Sequence, residues 1–367
     1  MLSNIGNLSQ KRFDDVTSRF VKWLYEANAR LPIPQHPAVR MYHLRKQNKN
    51  TDNSATYKRS SNPQRSNART RQKRRDKYLF ELAQHKYYNR RKDVVNMIMQ
   101  DEDRQECKVP LQALEDRFKN IYETSNDRIL EEYKNKIPSD DIQVTLEDIE
   151  QELCSIKMDS APGGDKVYVR TIRDLKIAGI IKIIIEIMLL TSYVPHSFHE
   201  GRTVMIPKSG DTNDVNNWRP ITIFSVIRRV IERVLDKKLR SQIVINRNQR
   251  GFVAGIQGCH INSILVNACL QKAKNTKTDC VAVFLDVSKA YDRVGHAHIA
   301  RCLAEQGVSR NLSRLIMSLL KDNFTRIQVG KDQRSSPIYF KCGVPQGCPL
   351  SPILFDLAVN FLYDNLC

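Results

Sequence analysis

Apolar residues recur along this chain mostly at helical spacing and in a few places at strand spacing. Phe13, Val16, Phe20, Val21, Trp23 and Leu24 predict one amphipathic helix, ended by Leu31-Pro32-Ile33-Pro34. Leu79, Leu82 and Tyr87, set among Lys77, Lys86, Arg90, Arg91 and Lys92, predict a long basic helix from Tyr78 to Met99, and residues 111–134 another. Thr145 followed by Asp148 has capping-box spacing ahead of Ile149, Leu153 and Ile156, in a helix expected to stop at SAPGGD, residues 160–165. The most apolar stretch, Ile180 to Leu190, is interrupted by Lys182 and Glu186 one turn apart. It falls short of the ~20 apolar residues of a spanning helix and reads as a buried helix over 178–192. A strand over 202–207 follows, then a long helix with Ile227, Val230, Ile231, Val234, Leu235 and Leu239 on one face. Residues 281–286, VAVFLD, are an apolar run ending in a carboxylate, which predicts a central strand with an acid at its tip. Helices over 295–306 and 310–322, a hairpin of 324–329 and 336–342 around Gly330-Lys331-Asp332, and a last helix from Leu350 complete the pattern.

Composition divides this pattern into parts. Residues 47–70 are rich in Asn, Ser, Arg and Lys and almost free of aliphatics, so burial cannot repay their chain entropy; a disordered linker is expected there when unbound. The expected parts are a helical segment over 1–46, a basic linker over 47–77, a helical extension over 78–144, and a mixed unit over 145–367. With 367 residues, 41% of them hydrophobic, the chain has material for a sizeable core, which excludes wholesale disorder.

Charge narrows the partners. The 59 Lys and Arg against 40 Asp and Glu favour an acidic partner, nucleic acid ahead of an anionic membrane surface. The excess is concentrated: residues 1–100 carry 22 basic and 7 acidic side chains, whereas residues 101–150 carry 7 and 15. Lys58–Lys77 alone holds nine Lys or Arg against the single Asp76. Nine scattered Cys without a CxxC pair argue against a zinc ribbon or thioredoxin-type motif and fit free thiols in a reducing compartment. The first residues, MLSNIGNLSQKRFDD, lack the apolar core of a signal peptide, and no membrane anchor is expected.

Three constellations carry candidate chemistry. Asp286, at the end of the apolar run, has the character of a ligand for a hard divalent cation, although one Asp alone is equally a structural residue. Tyr291 stands five residues on, and Asp292 is expected to cap the following helix. In Gly343-Val344-Pro345-Gln346-Gly347-Cys348-Pro349-Leu350-Ser351-Pro352, glycines and prolines make a tight loop ahead of a helix. It is either a structural turn or a place where a strand or sugar approaches the backbone beside Gln346. Lys208 and Arg219, eleven residues apart across a Gly-Asp turn, are either solvated cations or two arms converging on a triphosphate. His296 and His298 do not share a helical face, Cys259, His260, Cys342 and Cys348 lack zinc spacing, and Cys348 has no partner base.

Taken in order, SAPGGD, IPKSGD with NWRPI, NQRGF, FLDVSKAYD and GVPQGCPLSP resemble the reverse transcriptase domain of non-LTR (LINE-type) retrotransposons over residues 145–367. The pattern from Arg74 to Lys92 also resembles the N-terminal extension of the branch that inserts into ribosomal DNA. The resemblance implies an α+β right hand, with fingers and a partial palm behind a mostly helical basic extension. It implies RNA-directed DNA polymerisation with two Mg2+ (or Mn2+) ions, an RNA template, a DNA primer or target and deoxynucleoside triphosphates. Asp286 would be the catalytic carboxylate and hold both ions, with the Val287 carbonyl as a further ligand. Tyr291 would gate the sugar, Lys208 and Arg219 would grip the triphosphate, and Gln346 and Gly347 would pack against nucleotide and template. Nuclear residence, with cytoplasmic passage as a ribonucleoprotein, goes with the same family.

The family's palm also uses two adjacent Asp residues in an aromatic-Ala-Asp-Asp turn a few tens of residues past the Gln-Gly loop. The sequence stops at Cys367, 20 residues after Gly347, without that turn, and its Asp-Asp pairs, Asp14-Asp15 and Asp140-Asp141, lie upstream. Asp356 and Asp364 are expected to be exposed or capping. A truncated enzyme with little or no polymerase activity by itself, and poor solubility, is therefore expected. The alternative is an RNA-binding protein without catalysis, using Lys73, Arg74, Arg75, Lys77, Arg90, Arg91 and Lys92 on phosphates and Tyr87 on unpaired bases.

Overall fold

Helix α1 spans Leu2–Arg30, its expected stop at Leu31-Pro32-Ile33-Pro34 lying outside the described residues. It buries Thr17 and Leu24, whereas Val16 and Trp23, assigned to the apolar face by spacing, stay in solvent. The computed structural model describes residues 2–30, 107–123, 141–208, 210–253, 255–330 and 333–366. The chain divides into two units, Met1–Leu31 with Glu106–Cys367, and Pro32–Gln105. The second lies outside the described residues, and with it the expected linker over 47–77, the basic helix over 78–99, and Lys73, Arg74, Arg75, Lys77, Tyr87, Arg90, Arg91 and Lys92.

In the first unit, helix α2 (Leu111–Tyr122) is followed by α3 (Leu146–Ser155), whose capping box closes as expected. The Thr145 hydroxyl accepts the Asp148 amide at 3.2 Å and the Asp148 carboxylate accepts the Thr145 amide at 2.9 Å. A short helix α4 (Val169–Asp174) precedes α5 (Ala178–Thr191), the apolar helix foreseen over 178–192. Lys182 pairs with Glu186 along its outer side, while Ile181, Ile185 and Met188 are fully buried. Among the described residues no helix is long and apolar enough to cross a membrane.

Strand β1 (Glu200–Pro207) pairs antiparallel with β2 (Trp218–Ile223) and parallel with β3 (Phe324–Val329). Three hydroxyls fix this register from within: Thr203 lies 2.7 Å from both Thr222 and Thr325, and Thr325 donates to the Gly201 carbonyl. Behind β2 runs α6 (Val226–Arg240), capped by the Ser225 hydroxyl, with Ile227, Val230, Ile231, Val234, Leu235 and Leu239 all in the core. After α7 (Gly258–Thr276) come α8 (His296–Glu305), α9 (Arg310–Leu320) and, at the end, α10 (Ser351–Leu366).

The hairpin after α9 differs from its expected form. Its return arm is broken into β4 (Gln333–Arg334) and β5 (Ile338–Tyr339), both paired with β3. Pro337 offers no amide for a ladder, and Ser336 turns aside to Glu115 of α2, donating its amide at 3.1 Å. Helix α2 thereby lies against the sheet, with Leu114, Phe118 and Tyr122 in one apolar cluster with Trp218, Ile327, Ile338 and Phe340. A larger cluster joins α3, α5, α6, α8, α9 and α10.

One element is corrected outright. Residues 281–286 form no strand, and Phe284 and Leu285 are 82% and 81% exposed. A strand is held by ladder bonds to neighbours, and no described segment pairs with this one, so the run keeps its backbone in water. Helix α7 just before it buries none of its residues.

Candidate nucleotide site

The β1–β2 hairpin carries the two cations of the candidate triphosphate grip. Arg219 sits opposite Ile206 in the register, and the Lys208 amide donates to the Asn217 carbonyl at 2.6 Å, extending the pairing to the turn. Both side chains are exposed, and the Lys208 ammonium rests on the Asn216 carbonyl at 3.0 Å. The two cations stand on facing arms, as the spacing anticipates.

The Gln-Gly loop docks onto this hairpin. The Gln346 carbonyl accepts the Thr222 amide at 2.7 Å, three residues along β2 from Arg219. Gly347 has φ +108°, and a Cβ there would lie 2.7 Å from the Thr222 carbonyl oxygen, so only glycine permits this approach. From the other end, the Gly343 amide donates to Val294 and the Val344 amide to Tyr291, at 2.8 and 2.9 Å. Gly343, at φ +81°, passes so close to Asp292 that a Cβ would meet its carbonyl oxygen at 2.8 Å. Arg219, Tyr291, Gln346 and Gly347, spread over 129 positions of sequence, are brought together by these backbone bonds.

Tyr291 is half-buried, stacked on Phe355 of α10 at 5.1 Å between ring centroids, with Phe252 of the NQRGF segment edge-on at 6.1 Å. Burial pushes its phenol up to about 12, with the Asp356 carboxylate adding in the same direction. Beneath the loop, the Cys348 thiol donates to Glu232, which also takes the Arg228 Nε at 2.7 Å. Arg228 is 1% exposed, lies over the Phe224 ring, and spends its other donors on Phe198, Asn323 and Leu319. Cys348 is thus a buried anchor for the loop, not a nucleophile, and burial raises its thiol well above the ordinary range.

Two carboxylates depart from expectation. Asp292 does not cap α8, whose N-cap is Gly295; it is 6% exposed and accepts from Gln346 Nε2 and the Tyr122 hydroxyl, both at 3.2 Å. Asp356 is fully buried, taking Gln249 Nε2 at 3.0 Å on one oxygen, while Oδ2 has no hydrogen-bond partner. Burial lifts its carboxyl to about 7. The signal for Asp356 was in the sequence: it lies on the apolar stripe of α10 marked by Ile353 and Leu357. Tyr122 carried no comparable signal.

Asp286 and Val287 stand apart from this assembly, exposed on the unpaired run. Among the described residues no three His, Cys, Asp or Glu side chains are grouped to hold a metal ion. One carboxylate on an exposed segment does not fit a site for two divalent ions, so the residues present do not make the expected metal centre.

Residues 206–366 match the family model described as reverse transcriptase (RNA-dependent DNA polymerase), and the chain is similar to proteins of non-LTR retrotransposons. Reverse transcriptases use divalent metal ions such as Mg2+. The chain is 35% identical over 215 residues to the Retrovirus-related Pol polyprotein from type-1 retrotransposable element R2 of Popillia japonica, covering 58% of this chain and 30% of that protein. It is 32% identical over 211 residues to the type-2 R2DM polyprotein of Drosophila melanogaster, 58% of this chain and 20% of that one. With the RNA-directed DNA polymerase from mobile element jockey of the same fly it shares 28% over 222 residues, 58% and 24% of the two chains. The chain spans less than a third of the length of these curated relatives.

Proposed function

We propose that this chain serves RNA-directed DNA polymerisation in a non-LTR retrotransposon, by target-primed reverse transcription. It would hold an RNA template, a DNA primer or target and the incoming deoxynucleoside triphosphate between fingers and palm. In this reading Lys208 and Arg219 bind the triphosphate, Tyr291 faces the sugar, and Gln346 with Gly347 borders the nucleotide and template strand. The observation that carries it is the hydrogen bond donated by the Thr222 amide to the Gln346 carbonyl, which brings the loop to the strand bearing Arg219. Phosphoryl transfer depends largely on positioning and charge neutralisation, and two exposed cations on facing arms supply both for an anionic ligand. The family's Mg2+ or Mn2+ chemistry would involve Asp286 and the Val287 carbonyl, whose exposed setting assembles no two-ion site among the described residues.

Photo-cross-linking of an azido deoxynucleoside triphosphate to the 367-residue chain, with an RNA template annealed to a DNA primer, tests the reading. Labelling should require the template–primer duplex and fall about tenfold in Arg219→Ala, the loss of one charge-assisted contact. Labelling that is indifferent to both would refute it.

A second reading, RNA binding without catalysis, is favoured by the isolation of Asp286. It would use the basic segment 58–92, and Lys73-Arg74-Arg75 would equally serve nuclear import, with cytoplasmic passage as a ribonucleoprotein.

A further inference from the structure

We infer that Tyr122 and Asp292 are positioning residues for Gln346, and that helix α2, upstream of the matched domain, holds the Gln-Gly loop through them. The inference rests on the proposed placement of Gln346 at the nucleotide.

Asp292 Oδ1 accepts two donors, the Tyr122 hydroxyl and the Gln346 amide nitrogen, each at 3.2 Å. The carboxylate is almost wholly buried, so its charge depends on those two donors, with Lys289 and Arg117 adding a weaker electrostatic pull; loss of either donor leaves it poorly satisfied. Burial raises the Asp292 carboxyl, and the bonds from Gln346 and Tyr122 oppose that rise. The turn that carries Asp292 also supplies the carbonyls of Tyr291 and Val294 to the loop amides of Val344 and Gly343. A shift of Asp292 would therefore move the Gln346 side chain and both backbone anchors of its loop together.

Tyr122 is equally fixed on its own side. Its ring is buried, 4.5 Å from Phe340 and 5.8 Å from Phe118 between centroids, and its carbonyl accepts the Lys341 amide at 2.9 Å. The last turn of α2 is thus clamped to the segment entering the loop, and the Tyr122 hydroxyl on it is aimed at Asp292. An aromatic ring in a core needs no hydroxyl; the hydroxyl here is used on a carboxylate that touches a candidate ligand-facing residue.

Hydrogen exchange of the intact chain, read beside the nucleotide cross-linking assay, tests this. Tyr122→Phe keeps the ring in its aromatic cluster, and Asp292→Asn keeps an acceptor, so both leave the core packed. Tyr122→Phe and Asp292→Ala should speed exchange of the Gly343, Val344 and Thr222 amides about tenfold, with Asp292→Asn in between and α6 unchanged. Nucleotide labelling should weaken in the same order. If those three amides exchange at the wild-type rate in Tyr122→Phe and Asp292→Ala, the positioning role is wrong. If they loosen while even the wild-type chain takes no template-dependent label, positioning stands and the nucleotide reading fails.

Discussion

Asp356 shows at the scale of one residue how a buried acid couples two parts of the site. It sits on the buried side of α10, holds Gln249 of the NQRGF segment, and bears on the Tyr291 phenol. Its carboxyl titrates near 7, above the roughly 3.9 of an unfolded chain, so the folded state prefers it protonated. Its contribution is complete below about pH 4 and is lost as pH rises towards 7, because over that window the native state binds more protons than the unfolded one. Asp356→Asn should therefore remove the part of the stability loss between pH 5 and 8 that belongs to this group. Denaturant melts at both ends of that range check it, and a variant as pH-sensitive as the wild type would contradict the assignment.

At the scale of elements, the sequence was legible wherever a local rule decides. The capping box of α3, the apolar face of α6 and the placing of Lys208 and Arg219 on the two arms of one hairpin follow from neighbours along the chain. What escaped depends on distant partners. Asp292 reads as a cap until Tyr122, 170 positions away, is seen to reach it. The return arm of the hairpin breaks because Glu115 claims Ser336. The run 281–286 has the composition of a strand buried on both faces, and composition cannot say whether neighbours exist to bury it. Its exposure yields a sharp expectation. Phe284→Lys combined with Leu285→Lys should leave unfolding free energy within about 0.5 kcal/mol, as for surface changes, and reduce binding of an apolar dye. A loss of several kcal/mol would mean that the run is buried after all.

At the scale of the whole molecule, charge and fold divide the labour. The part that matches the reverse transcriptase family model supplies a sheet with cations on one hairpin and a glycine-bound loop against it. The net charge of +19 is weighted towards the first hundred residues, where Lys58–Lys77 is the densest segment. If that segment neutralises RNA phosphates, affinity falls steeply with salt, with a slope near −0.7 per contact on single strands. Deleting residues 58–77 should flatten that slope in a filter-binding titration; an unchanged slope would remove the segment from the RNA interface.

On the proposed function, Lys208, Arg219, Tyr291, Gln346 and Gly347 frame one template-directed nucleotide site. The most direct measurement is the cross-linking assay run with each of the four templating RNA bases in turn. The complementary deoxynucleoside triphosphate should label the chain well above the other three, and Arg219→Ala should lower labelling about tenfold while leaving that preference in place. Equal labelling by all four nucleotides, whatever the templating base, would contradict it.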